Sequence, residues 1–559
     1  MSTVPPVRAL AILGASLALL SVGFLAGRGW AKRTEPVFRP LTFRQGFVFS
    51  ARFTNDGASV VYGAAWEGEP SRVFTSPVDR PDPRPLDVPP ADVFAASRRG
   101  DLLLGLGRSF RFDWLTGAAL ATTPPGGGPP RILRDLVRAA DWATDGEAIA
   151  LVRPDKRGHA LEFPAGTVLH RTSGWIGDVR VLPDGIRVAF LDHPVWGDRR
   201  GRLLVAGKGE VRALLPQEFE TLTGLAVAPG GREGLFSATR SGSQTEIQAV
   251  SADGGPARPV LRAPGALRVH DAAGGRLLVS REEQRQTLGF RRGAELERDL
   301  CWTSHAQVAA LSADGNRAVI TVYDDRGGGN GTAWLRGTDG SAPIPLGAGD
   351  ATDLSPDGRW AVVIRHGEID TLALLPTVPG EGRTLVLPRV ERYHWARFTP
   401  DGRGIVLSAN EKGRKIRLYR LDLATGDSAP VTPEGVGYLL SLTSKGDAVT
   451  SEDLDRKLRL FPLEGGSPRD IAGLLPSENV LIWLPGDEAY LAAMPNDVPL
   501  RVFHVDARTG ERRLHAEVGP PDRNGLRSLW PVAFSRDGSA VAYTVSRLFS
   551  ELFVVEGVR

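Results

Sequence analysis

The feature that most constrains this chain is a short phrase that keeps returning: an apolar residue, a small hydroxyl, and then Asp-Gly opening an apolar run. Its sharpest copy is Phe398-Thr399-Pro400-Asp401-Gly402, followed by Arg403-Gly404 and Ile405-Val406-Leu407-Ser408. Such a phrase encodes a strand, a tight turn and a second strand, because Gly accepts positive φ and Asp hydrogen-bonds its own turn backbone. Further sharp copies are Phe53-Thr54-Asn55-Asp56-Gly57, Trp142-Ala143-Thr144-Asp145-Gly146, Leu182-Pro183-Asp184-Gly185, Leu311-Ser312-Ala313-Asp314-Gly315, Leu354-Ser355-Pro356-Asp357-Gly358 and Phe534-Ser535-Arg536-Asp537-Gly538. Worn copies at Gly100, Gly231, Gly275, Gly446 and Gly486 fill the gaps. The spacing is about 44 residues, the length of a four-stranded propeller blade. Twelve copies exceed one ordinary ring of about four to eight blades, so two rings are expected.

The fold class read from this pattern is all-β, with two tandem β-propellers of about six four-stranded blades each behind an N-terminal transmembrane helix. The expected divisions are a signal anchor over 1–33, a first propeller over 34–295 and a second over 296–559. The last repeat stops early, with 551–555 as its third strand. Arg39-Pro40-Leu41-Thr42-Phe43 looks like a spare fourth strand that could complete it and hide an open sheet edge. With 66 Gly and 42 Pro among 559 residues, the composition suits short strands and many turns.

Residues 9–27 carry no charge, which is just long enough to cross a hydrocarbon core of about 30 Å. An uncleaved anchor is the preferred reading, and a cleaved signal peptide is the alternative. Arg28, Lys32 and Arg33 follow the run while Arg8 precedes it. By the positive-inside rule alone, those flanks would leave the large domain in the cytoplasm.

The 68 basic and 65 acidic residues give a formal charge of +3, and no Lys/Arg block is interleaved with aromatics. A nucleic-acid partner is therefore not expected. Cys301 is the sole cysteine, which excludes an internal disulfide and a multi-cysteine zinc site. None of the nine histidines forms a helical metal-ligand pair, and neither His-Glu-x-x-His nor Gly-x-Ser-x-Gly occurs. No metal, no cofactor and no catalytic residue is expected.

Residues early in an inner strand line a propeller's central channel, which makes Trp175, Trp302, His305, Tyr393, His394, Trp395, Arg397 and Trp530 the candidate binding residues, with Arg180 further along its strand. Aromatics and Arg dominate binding hot spots. The competing reading is structural, with each Trp packed between blades and each His satisfying a backbone group.

The repeats resemble TolB-type, WD-like propeller repeats of bacterial envelope proteins. Longer phrases resemble the propeller region behind the transmembrane helix of acidobacterial-type receptor serine/threonine kinases. They are Leu41-Thr42-Phe43-Arg44-Gln45-Gly46, Ala64-Ala65-Trp66-Glu67-Gly68, Leu191-Asp192-His193-Pro194-Val195, Glu297-Arg298-Asp299-Leu300, Arg420-Leu421-Asp422-Leu423 and Leu552-Phe553-Val554-Val555-Glu556-Gly557. The resemblance implies a propeller outside the cytoplasmic membrane that senses or docks a partner. The kinase itself has no counterpart here, so signalling would need a separate partner. The expectation is a non-enzymatic, single-pass, membrane-anchored sensor or scaffold facing the periplasm, binding an envelope protein or small ligand. Two alternatives stand beside it: an envelope hydrolase or lyase, metal-dependent, with a site in a propeller channel, and a cytoplasmic membrane-tethered scaffold.

Overall fold

The computed structural model describes residues 35–558 except 109, 112–113, 116, 156–157, 195–198, 208, 240–243, 324–330, 440, 452–457, 496 and the side chains of 110–111 and 114–115. The expected anchor over 1–33 lies outside the described residues. Among the described residues no helix is long and apolar enough to cross a membrane.

The Asp-Gly phrases build the turns their chemistry calls for. In the sharpest copy the Thr399 hydroxyl donates to Asp401 Oδ1 at 2.6 Å and accepts the Gly404 N–H at 2.9 Å, while Arg403 N donates to the same carboxylate at 3.0 Å. Gly402 sits at φ +69°, where a Cβ would be strained. The hydroxyl-to-Asp bond recurs at 2.6 Å for Thr54–Asp56, Ser312–Asp314, Ser355–Asp357 and Ser535–Asp537. Each turn joins the first and second strands of a blade, whose inward faces are Val-, Leu- and Ala-rich.

Ten sheets are plain four-stranded blades. The first strands of successive blades touch around a circle, which identifies them as the inner strands. In ring one they are Gly46–Phe53, Ala91–Ala96, Ala139–Trp142, Trp175–Val181, Thr221–Val227 and Ala266–Ala273, the last returning to touch the first. Those of ring two are Ala306–Leu311, Asp350–Leu354, Val390–Phe398, Ser441–Leu442, Asn479–Trp483 and Val532–Phe534. Here too the last inner strand meets the first. The third and fourth blades of ring two join through Val406, Leu418, Leu439 and Ala448.

The remaining two blades share two strands of 17 residues, Arg276–Arg292 and Ala540–Glu556, which pair antiparallel from Leu277↔Val555 to Arg292↔Ala540. Residues 276–282 pair with Ala266–Ala273 and so form the second strand of ring one's sixth blade. The far end of the same strand pairs with Arg298–Asp299 as the third strand of ring two's sixth blade. Ala540–Glu556 does the converse, pairing first with Val532–Phe534 and at its other end with Val37–Pro40. Each crossing strand is thus second in one ring and third in the other.

Two expectations are corrected here. A single cut at residue 295 does not divide the sheets, because ring one needs residues 550–556 and ring two needs residues 286–292. Residues 551–555 are not a separate third strand of the last repeat but continue its second strand into ring one. The spare strand does close a blade, as Val37–Pro40 on Phe553–Glu556, and the blade it closes belongs to ring one. Burial explains the closure: Leu41, Phe53, Tyr62, Phe74, Leu278, Leu552 and Val554 form one apolar cluster across the first and sixth blades. On the other side Leu288, Phe290, Leu300, Val308, Ile320 and Ala542 do the same for ring two.

Candidate functional site

Three inner strands carry an Arg five residues before the turn glycine: Arg52, Arg180 and Arg397. In each case the preceding blade presents an Asp that binds the backbone N–H of the residue after the Arg. Asp271 accepts from Phe53 N, Asp141 from Val181 N and Asp353 from Phe398 N, each at 2.9 Å. Because a strand alternates its faces, the Phe or Val turns into the inter-blade core and the Arg turns to the channel.

In ring one this places a dense charged layer in the channel. Arg52 Nη1 donates to Ala51 O at 2.7 Å and His270 O at 3.0 Å, and Arg180 Nη2 donates to the same His270 O at 2.8 Å. Arg268 pairs with Asp178 at 3.2 Å, and Asp178 also accepts Gly224 N. Burial pushes Asp178 up, but Arg268, Arg180 and Arg52 together hold it below the usual carboxylate range. Burial, with the like charge of Asp271, raises Asp141 despite Arg180 and Arg52, and burial with the nearby Arg180 brings Arg52 down to about 10. Beside this layer Arg108 pairs with the fully buried Asp92, and Arg138 lies 5.0 Å over Trp175.

Trp175 stacks on His193 with ring centroids 3.6 Å apart and planes 2° from parallel. Its place is structural, a slab between a guanidinium and an imidazole. Burial holds His193 down to about 4 and His159 to about 3, so both rings are neutral at ordinary pH.

The other candidates belong to ring two. Tyr393, His394, Trp395 and Arg397 share one inner strand and differ in role. Tyr393 is buried, and its hydroxyl accepts Leu387 N at 2.9 Å, a structural bond. Trp395 is 41% exposed and precedes Arg397 by two residues, so both project on the same face. Arg397 lies 3.6 Å from Asp353. His394 contacts Asn410 Oδ1 through Nε2 at 2.7 Å, and desolvation keeps it below the ordinary histidine value. Trp302 packs edge-on to Trp334 at 5.5 Å under Arg336. His305 bridges Gln286 of the first crossing strand, and Trp530 is half-buried just before the last inner strand. The structure therefore gathers the 393–397 residues and leaves Trp175 in the other ring.

Sequence reading missed a cluster at the same end of ring two. His366 Nδ1 lies 3.3 Å from Asp370 Oδ2 and Nε2 lies 3.5 Å from Asp350 Oδ2, while Arg392 Nη1 reaches Asp370 Oδ1 at 3.0 Å. Tyr393 N also donates to Asp370. Hydrogen bonds to Asp350 and Asp370 raise His366 to about 9. These residues come from two adjacent blades and the loop between strands, so no linear motif announces them. Of the channel groups, sequence reading singled out Arg180 and Arg397; it did not single out Arg52 or the carboxylates Asp141, Asp271 and Asp353. Among the described residues no group of three or more His, Cys, Asp or Glu is arranged to hold a metal ion.

No protein-family model matches the chain, and no characterised sequence relative does. Among solved structures, a chain from Agrobacterium tumefaciens described as TolB is similar at 17% identity and a TM-score of 0.36, covering 47% of this chain and 99% of that one. The tricorn protease is similar at 13% identity and a TM-score of 0.32, covering 90% of this chain and 57% of that one. This chain thus spans little more than half the length of the tricorn chain. The assignment to paired β-propellers rests on the sheets and their closure.

Proposed function

We propose that this chain is a non-enzymatic binding module whose partner, an envelope protein or a small ligand, docks at the channel mouth of ring two. The observation that carries this reading is Trp395, 41% exposed on the channel face two residues from Arg397. The corresponding arginines of ring one are almost fully buried, so ring one's channel is filled while ring two's presents an aromatic and a guanidinium. Trp and Arg are the residues that supply most binding energy when a partner desolvates them. A rigid ring holding them in fixed geometry limits the ordering entropy lost on association.

The membrane-anchored, extracytoplasmic setting is part of the proposal and draws on the uncharged run at residues 9–27. A scaffold tethered on the cytoplasmic side is the competing arrangement, and reporters fused after Arg559 that are active on one side of the membrane or the other distinguish them. Among the described residues the Asp350–His366–Asp370 cluster is the feature that favours an enzyme. Its histidine, however, is held protonated by two carboxylates and is poorly suited to accept a proton near neutral pH.

The binding reading is tested with a photo-crosslinking residue placed at Trp395 and, as control, at exposed Ile186 of ring one, followed by identification of the adducts. A discrete adduct from 395, absent from 186 and suppressed by an unlabelled second copy of the chain, supports it. Identical adduct patterns from both positions remove ring two's mouth as the docking site.

A further inference from the structure

We infer that a groove beside the first strand of ring one takes acyl chains of a lipid bilayer, with Phe43 entering the lipid from the groove's rim. This rests on the membrane-anchored setting proposed above and holds for either side of the membrane. The groove lies along Val37–Pro40 and has a volume of about 660 Å³, within the range of sites that take an apolar ligand. Its apolar walls are Phe38 and Pro40 on that strand, Phe553 beside them, and Pro264 and Leu267 at the entry to the sixth blade. Phe43 on the rim is 73% exposed, more than any other Phe or Trp among the described residues.

That exposure is built in. Leu41 is fully buried and its N–H donates to Leu552 O at 2.7 Å, while Thr42 Oγ1 accepts Leu552 N at 2.9 Å. On the other side Arg44 forks onto Glu67 at 3.2 and 2.9 Å. Phe43 is thus held outward from both sides, so little ordering entropy is lost when it meets a surface.

Reach and charge point to lipid as the occupant. Residues 28–36 are all that separate the uncharged run 9–27 from Val37, and fully extended they span about 30 Å. With that run in a bilayer the groove cannot leave the membrane's neighbourhood, and its rim meets lipid at high effective concentration. The arginines around the groove are each matched by a glutamate: Arg39 with Glu556, Arg44 with Glu67 and Arg281 with Glu551. A rim so balanced gives a charged partner little to bind, whereas aromatic side chains settle at a bilayer interface without needing charge. The contact is therefore apolar in origin and insensitive to salt. It is also independent of the docking proposed at Trp395 in ring two.

The test uses the full chain carrying Cys301→Ser, reconstituted in phosphatidylcholine vesicles that contain a nitroxide on the lipid acyl chain. A fluorophore is attached singly through Phe43→Cys, through Pro264→Cys on the opposite wall, through Leu19→Cys in the uncharged run, or through Ile344→Cys, exposed on an outer strand of ring two. The nitroxide should quench the fluorophores at 43 and 264 severalfold more than the one at 344, and equally in low and high salt. If 19 is quenched and either 43 or 264 is not, the inference falls and the anchor reading stands. Quenching at none of the four positions removes both. A disulfide between the 43 positions of two unlabelled chains, in place of quenching, assigns the groove to a second copy and also overturns the inference.

Discussion

Arg285 and Arg547 stand directly opposite each other on the two crossing strands, near the midpoint of their sixteen-residue pairing. Two like charges face to face would ordinarily weaken a strand pair. Each is turned away and partnered elsewhere: Arg285 binds Glu283 at 2.6 Å and lies 5.4 Å over Phe549, while Arg547 donates to Asn524 O and to Asp522 O at 2.6 Å. This is where the chain leaves one ring and enters the other, and the strand continues through it without a break.

Because the sixth blade of each ring takes its third strand from the other half of the chain, the halves are not independent folding units. Residues 35–295 expressed alone leave Val37–Pro40 without its partner and the sixth blade with an open edge. That fragment should show no cooperative thermal unfolding, and mixing it with residues 296–559 should restore a transition. Circular dichroism during heating checks this. A fragment that melts as sharply as the whole chain would contradict the shared-strand account.

Neighbouring residues on one strand should separate stability from binding. Tyr393→Phe removes the acceptor of Leu387 N and should lower unfolding free energy by about 1 kcal/mol while partner binding persists. Trp395→Ala, at an exposed position, should change stability by less than about 1 kcal/mol and abolish the crosslinked adduct. Denaturant midpoints and binding assays on both variants provide the comparison.

The turn chemistry makes a graded prediction at one site. Gly402→Val puts a β-branched residue at φ +69° and should cost roughly 1–2 kcal/mol, whereas Gly402→Asn should cost clearly less because Asn tolerates that region. Asp401→Ala loses the bonds from Thr399 Oγ1 and Arg403 N, at about 1 kcal/mol. Urea unfolding of the three variants should rank them Val worst and Asn mildest.

His366 sets a stability change on the alkaline side. Its folded pKa is raised to about 9 by the bonds to Asp350 and Asp370, above an unfolded value of about 6.5. Its contribution is therefore complete below about pH 6.5 and is lost as pH climbs toward 9. His366 is partly exposed, so solvent screening reduces the expected effect to about 1 kcal/mol. Unfolding free energies at pH 6 and pH 9.5 should differ by that much more in the wild type than in His366→Gln. Equal pH dependence in the two chains would show that the pair contributes nothing.

The blade grammar was legible because its physics is local. Thr399, Asp401 and Gly402 close their turn within five residues, and the same contacts recur wherever the phrase does. Arg180 and Arg397 were legible from their places on inner strands, whereas Arg52 and the carboxylates Asp141, Asp271 and Asp353 were not, because their bonds to the neighbouring blade form only when the blades pack. The crossing strands were not legible. Residues 282–286 read Glu-Glu-Gln-Arg-Gln, a polar stretch that interrupts the apolar pattern because the strand there passes between rings with much of its surface in solvent. The His366 cluster was hidden for a different reason: Asp350, Asp370 and Arg392 meet only when two blades pack side by side.

By itself the sequence determined the repeat length, the turn chemistry, the all-β class and the presence of two rings, because each depends on contacts between residues a few positions apart. Tertiary structure alone decided which edge closes on which, and with it the shared strands, the filled channel of ring one and the exposed Trp395 of ring two. Every blade edge offers much the same backbone donors and acceptors, so local pattern cannot choose among them. The choice falls to the apolar clusters that bury Leu278 against Leu552 and Val554 on one side and Leu288 against Ala542 on the other.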